Sequence, residues 1–218
     1  SALSLAETIE IAHANNVPVM VDAAGQIYPT ELLGKYVRMG ADFQCIAAIY
    51  LGSPQSTGLA LGTEEAIHKL SLQSFVSYEG RRVRGIGRPQ KVDRQEIVGA
   101  VAAVKLWLTM NHEDRLEDAE TRSTTIVNLL QGVPGVKASL ITNVMGHQPF
   151  GVDLEFSADV TGLAAQDIVE RLKAGDPPIW TRVRPGEEIV TIHMFGLNKG
   201  EEEVVGRRIR DLLTERPA

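Results

Sequence analysis

An α/β fold is predicted for these 218 residues, on three observations. Short apolar, β-rich runs alternate with helical periodicity through roughly the first 70 residues. A glycine-, proline- and arginine-rich stretch, "VSYEGRRVRGIGRPQKV" (76–92), then breaks the pattern. Beyond two long helical segments, the remainder reads strand, strand, helix, strand, strand, helix, the order of a small α+β domain with an antiparallel sheet.

The elements follow in order. Ser4 and Glu7 form a capping box before the amphipathic "LAETIEIAHAN" (5–15). "VPVMV" (17–21) is a buried strand ending at Asp22, parallel to its neighbour because a helix precedes it. Thr30 caps a helix "ELLGKYVRM" (31–39), stopped by Gly40. "FQCIAAIYL" (43–51) is the second strand, "GSPQSTG" (52–58) a turn, "LALG" (59–62) a third strand and "TEEAIHKL" (63–70) a helix. This βαβ alternation predicts a parallel, doubly wound sheet. Asp93 and Glu96 open a long helix through "IVGAVAAVKLWLTM" (97–110), followed by a charged helix "EDRLEDAETRSTTIVNLL" (113–130). The small domain takes "VKASLI" (136–141), "GVDLEF" (151–156), "IWTRV" (179–183) and "EIVTIHM" (188–194) as strands. Its helices are "LAAQDIVERLKAG" (163–175) and "EEEVVGRRIRDLL" (201–213). The expected organisation is a large-domain remainder over 1–92, a connecting helix over 93–112 and the small domain over 113–218.

Net charge is −6, which speaks against general nucleic-acid binding. One cysteine, Cys45, sits in an apolar run and reads as a small buried hydrophobe; a disulfide framework within the chain is excluded, and a reduced compartment, the cytoplasm, is expected. No apolar run approaches the length of a membrane span. The histidines (His13, His68, His112, His147) lack metal-ligand spacing, and His193 reads as a core or edge-strand residue, so no metal is expected.

In an open α/β sheet, ligands sit at the C-terminal ends of the strands. Asp22 ends the first strand there and either holds a ligand or caps a turn. Ser53, Ser56 and Thr57 either bind a phosphate or form a tight turn. Arg88, among Arg81, Arg82, Arg84 and Lys91, is either an anion site or part of a solvated loop. Arg182 either holds a substrate carboxylate or packs beside Trp180.

"VPVMVDAAGQIYP", "MGADFQCIAAIYLGSPQSTGLALG", "GIGRPQKVDRQEIVGAVAAV" and "AGDPPIWTRV" occur in that order. Together they resemble the fold type I pyridoxal phosphate (PLP) family of selenocysteine synthase (L-seryl-tRNA selenium transferase) and D-glucosaminate-6-phosphate ammonia-lyase, over nearly the whole chain. The resemblance implies the C-terminal part of an aspartate aminotransferase-like large domain, followed by a small α+β domain. It implies that Asp22 partners the pyridine nitrogen, making PLP an electron sink. Ala24 would lie against the ring, and "GSPQSTG" would follow the cofactor lysine, bringing Ser53, Gln55, Ser56 and Thr57 to the cofactor. Arg88 would bind the substrate anion, with Arg182 a second substrate contact. The lysine position, counted back from Pro54 and Gln55, falls on Ile49, which has no amine to attach PLP. The nearest lysines, Lys35 and Lys69, lie on predicted helices. Family members carry a further N-terminal region, so the chain corresponds to a fragment, a split subunit or a degenerate descendant.

Two functions are expected from this. One is a PLP-dependent lyase or transferase on amino acids or amino-sugar acids, working by β-elimination, β-replacement or ammonia elimination, with PLP held without covalent attachment and turnover lost or incomplete. The other is a non-catalytic fold type I relative that binds or completes a partner subunit. Either implies a homodimer, a higher oligomer or a partner chain covering the small sheet.

Overall fold

The computed structural model describes residues 2–80, 83–141 and 150–214. Arg81, Arg82 and His147 of the sequence reading lie outside the described residues. The chain divides into two units, Ser1–Met110 and Asn111–Ala218, each with its own core.

In the first unit, helix α1 (Leu5–Ala14) starts at the expected capping box: the Ser4 hydroxyl accepts the Glu7 N–H at 3.2 Å, and the Glu7 carboxylate accepts the Ser4 N–H at 2.8 Å. Strand β1 (Met20–Asp22) pairs in parallel with β2 (Phe43–Ala47), placing Asp22 opposite Cys45. The segment between them is no single helix. Gly34 takes a left-handed φ of +80°, separating a 3-10 turn at Thr30–Leu32 from a short helix α2 (Lys35–Arg38), and Thr30 begins the turn rather than capping it.

Strand β3 (Gly58–Gly62) runs antiparallel to β2, with Ala60 opposite Cys45, which corrects the all-parallel expectation. A parallel return needs a crossover of about a dozen residues or more. The link from Ala47 to Gly58 is shorter and part of it is itself helical: β2 stops at Ala47, and Ala48–Leu51 turns as a 3-10 helix instead of continuing the strand. Helix α3 (Glu64–Leu72) is capped by Thr63, whose hydroxyl accepts the Ala66 N–H at 3.2 Å. Helix α4 (Phe75–Glu79) takes up the start of the stretch read as loop, because Ser74 caps it through the Ser77 N–H. Helix α5 (Arg94–Thr109) completes the unit.

Val21, Ile46, Leu59 and Leu61 share one sheet face, where Ile27, Leu51, Ala103 and Trp107 complete the core; the Trp107 indole N–H donates to the Ile27 carbonyl at 3.0 Å. Asp42 ties this unit together. Its Oδ2 accepts the Val19 N–H at 2.8 Å and lies 2.9 Å from His13 Nε2, pinning α1 and the entry to β1. The His13 contact, then the Val19 amide, hold its carboxyl below the ordinary value. A depressed native value stabilises the fold above the unfolded value and is lost as pH falls through the native one. Asp42→Asn is therefore expected to cost about 1 kcal/mol at pH 7. Urea melts of both proteins at decreasing pH should show the gap closing below pH 3.8; a gap that persists undiminished in acid would show that ionisation is not its source.

The second unit begins with α6 (His112–Leu130), where Asn111 Oδ1 accepts the Glu113 and Asp114 N–H groups. Strands β4 (Val136–Ile141), β5 (Gly151–Phe156) and β6 (Ile189–His193) form an antiparallel sheet in that order. Helices α7 (Ala158–Thr161), α8 (Ala165–Lys173) and α9 (Glu201–Thr214) complete it. Val152, Leu154 and Phe156 alternate onto the core face of β5, with Val190 and Ile192 beside them on β6. Ile126, Ile168, Leu172 and Ile209 from the helices cover that face. The expected strand 179–183 is reduced to one bridge, Val183 to Val190. Pro177 and Pro178 precede it without N–H donors, and Trp180 is exposed, so no buried face enforces strand alternation there.

Candidate functional site

The C-terminal ends of β1 and β2 lie side by side. Their pairing continues past the strands, with the Ala23 N–H on the Cys45 carbonyl (3.2 Å) and the Ala47 N–H on the Ala24 carbonyl (3.0 Å). Asp22 and Ala24 are thereby fixed next to the point where β2 turns. The Asp22 Oδ1 accepts the Ala24 N–H at 3.1 Å, the Asx-type contact also expected of a turn aspartate, and lies 3.5 Å from the Cys45 Sγ.

After β2, the 3-10 turn sorts its side chains by depth. Ala48 and Leu51 are buried, whereas Ile49 is 41% exposed and Tyr50 is exposed beside it. Tyr50 lies over Gly25, where an added Cβ would come within 3.7 Å of its ring. The turn closes on itself through Ala48 N–H to the Thr57 carbonyl (2.9 Å) and Ser53 N–H to the Ala48 carbonyl (3.2 Å). Helix α5 clamps it from outside: Gly99 lies so close to Pro54 that a Cβ there would sit 2.7 Å from the ring.

The Ser53 and Thr57 hydroxyls are buried and have no hydrogen-bond partner, and Ser53 is only 8% exposed. Buried hydroxyls are normally satisfied, so two orphans on one turn match the donor set of a phosphate. Asp22 at the strand end matches a protonated pyridine nitrogen. These residues fit PLP; Ile49 supplies no amine. Gln55 and Ser56 are exposed on the same turn.

The basic residues behave differently. Arg88 is exposed, with its guanidinium 5.3 Å from the centroid of the Tyr78 ring, and Lys91 sits 4.5 Å over Phe75. Arg182 is exposed in the second unit, and it is Lys173, not Arg182, that covers the Trp180 ring, at 4.2 Å. His193, half-buried at the end of edge strand β6, is held below the ordinary value by burial and then by Arg182. Among the described residues, no group of three or more His, Cys, Asp or Glu could hold a metal ion, and no helix is long and apolar enough to cross a membrane.

Sequence reasoning placed Cys45 as an inert core residue. The structure leaves it half-buried with its thiol directed at Asp22, a consequence of strand register that residue patterns do not reveal. Residue patterns likewise gave no sign of the Arg184 network on the outer face of the second sheet. There Arg184 donates to both Asp153 oxygens (2.8 and 2.7 Å) and to Thr191 Oγ1 (3.1 Å).

No family model matches the chain. It is 28% identical to a 5'-C-glycyluridine monooxygenase-decarboxylase from Streptomyces sp over 97% of its length and 50% of the relative's. It is 22% identical to the D-glucosaminate-6-phosphate ammonia lyase of Salmonella typhimurium over 96% of its length and 53% of the relative's. A solved D-glucosaminate-6-phosphate ammonia-lyase superposes with a TM-score of 0.72 at 22% identity, covering 97% of this chain and 53% of that one. Serine palmitoyltransferase from S. paucimobilis, solved as a lysine-to-alanine variant with a bound PLP-myriocin aldimine, gives a TM-score of 0.52 at 13% identity, covering 97% and 51%. The chain spans about half the length of the curated relatives it matches. With these likenesses added to the two-unit architecture, the chain has the fold of the C-terminal part of a fold type I PLP-dependent enzyme.

Proposed function

We propose that this chain carries a PLP site at the ends of β1 and β2 and holds the cofactor without covalent attachment. The reading places it by descent among lyases and transferases acting on amino acids or amino-sugar acids, with turnover lost or incomplete in this chain. The observation that carries it is Asp22 at the end of β1, opposite Cys45 of β2, together with the turn after β2, whose Ser53 and Thr57 hydroxyls are buried and partnerless. When bound, PLP supplies an electron sink for a carbanion next to the substrate amine. Asp22 would hold the proton on the pyridine nitrogen, the two hydroxyls would donate to the phosphate, and Ala24 would pack against the ring. Gln55 and Ser56 rim the turn. Arg88 is the candidate holder of a substrate anion. The names of the two relatives describe an aminated sugar acid phosphate and a glycyl-bearing uridine, which agrees with an amino-acid-like substrate.

Titration of the purified chain with PLP, followed by absorbance and by Tyr and Trp fluorescence, tests the site. Saturable binding is expected, weakened at least about tenfold, or about 1.4 kcal/mol, by Asp22→Ala. Equal binding by the wild type and Asp22→Ala would remove Asp22 from the site.

A second reading, that the chain completes a partner or a second copy of itself, has its own observation. Phe43, Cys45 and Ala47 alternate onto the sheet face opposite the core, and Met20 on edge strand β1 is 72% exposed. Sheets with parallel strands are ordinarily covered on both faces. Light scattering on the purified chain separates a monomer from a self-associated form.

A further inference from the structure

Asp22 can partner a pyridine nitrogen only if its carboxylate is held in one plane, since the terminal torsion of an aspartate is broad. Two donors converge on a single oxygen. The Ala24 N–H reaches Oδ1 at 3.1 Å, and the Cys45 Sγ lies 3.5 Å from the same atom. Among the described residues, Oδ2 accepts no hydrogen bond. Parallel register sets Cys45 directly across from Asp22, so both side chains stand on one sheet face. Cys45 also belongs to the central strand, flanked by β1 and β3, which makes it a stiff support. Its Sγ lies 3.8 Å from the Val21 carbonyl, a longer alternative acceptor. Independently, the unpartnered Ser53 hydroxyl follows the same strand and points to an anionic ligand at this end of the sheet.

We infer that Cys45 is a positioning residue for the cofactor: its thiol holds Asp22 Oδ1 so that Oδ2 is presented to the pyridine nitrogen of PLP. The inference rests on the PLP reading above. A thiol is a weak donor, so its effect is modest and a hydroxyl in its place reproduces it.

The test compares PLP titrations of the wild type, Cys45→Ser, Cys45→Ala and Cys45→Val, read by absorbance and fluorescence, with urea melts to establish that each variant is folded. Cys45→Ala and Cys45→Val, which remove the donor at different volumes, are expected to weaken PLP binding about fivefold and to shift the bound cofactor's absorbance. Cys45→Ser should stay within about twofold of wild type. Unchanged binding in the alanine and valine variants would overturn the inference and leave the PLP reading standing. Equal loss in the serine variant would also overturn it, since shape rather than donation would then matter. Failure of the wild type to bind PLP would remove the PLP reading itself.

Discussion

Replacing Ile49 by lysine is expected to turn reversible PLP binding into covalent attachment. The 3-10 turn after β2 directs this side chain outward while Ala48 and Leu51 face the core. A lysine therefore enters an exposed position with no cavity and no overpacking, and the fold should change in stability by less than about 0.5 kcal/mol. Its amine would stand at the end of the strand beside Asp22. Lysine amines attach carbonyl cofactors when placed within reach, and the neighbouring residues already fit the rest of the cofactor. Borohydride treatment after incubation with PLP, then peptide mapping by mass, reads the result. The variant should carry the added mass on the peptide spanning position 49, and the wild type should not. Labelling of Lys35 or Lys69 to the same extent in both proteins would show that position 49 does not face the cofactor.

Local signals were legible in the sequence where they act over a few residues. The Ser4–Glu7 box and the opening of α5 at Asp93 and Glu96 are short-range hydrogen bonds, and both occur where the residue types predict them. Asp22 was also legible, because a single aspartate closing an apolar run marks the end of a strand. What was not legible depends on contacts distant in sequence. The direction of β3 is decided by the geometry of a short link, the break at Gly34 by one left-handed residue inside an otherwise helical pattern, and the partnership of Cys45 with Asp22 by register. A β-rich run such as "IWTRV" carries strand propensity but no partner face, and propensity alone did not order it. Ser53 and Thr57 could be named as hydroxyls in a turn; their lack of partners only the three-dimensional arrangement could disclose.

The largest stability effect is expected at Arg122→Ala, between two residues 80 positions apart. Arg122 on α6 donates through Nε to Glu202 Oε2 at 2.9 Å, and through one terminal nitrogen to the Leu197 and Asn198 carbonyls at 2.9 and 2.8 Å. The two side chains are only 11% and 10% exposed. Glu202 in turn accepts the Gly200 N–H on both oxygens, closing the entry to α9. Burial pushes the Glu202 carboxyl up, but backbone amides and Arg122 outweigh it and hold the group below its ordinary value. Removing Arg122 reverses that balance by leaving a buried carboxylate without its counter-charge and the Leu197 carbonyl without the Arg122 donor, while the Asn198 carbonyl keeps the Glu201 N–H at 3.1 Å. Loss of one partner of such a pair costs about 3–5 kcal/mol. In the wild type, the depressed native value means that the pair stabilises at neutral pH and weakens as pH falls through it. In Arg122→Ala the sign inverts, since protonation relieves the buried charge. The gap between the two proteins should therefore be widest near pH 7 and should shrink toward pH 4. Adding Glu202→Gln to Arg122→Ala should recover part of the loss at neutral pH by removing the charge. Urea melts of the four proteins of this cycle measure the coupling, and a value near zero would mean that the pair contributes packing alone.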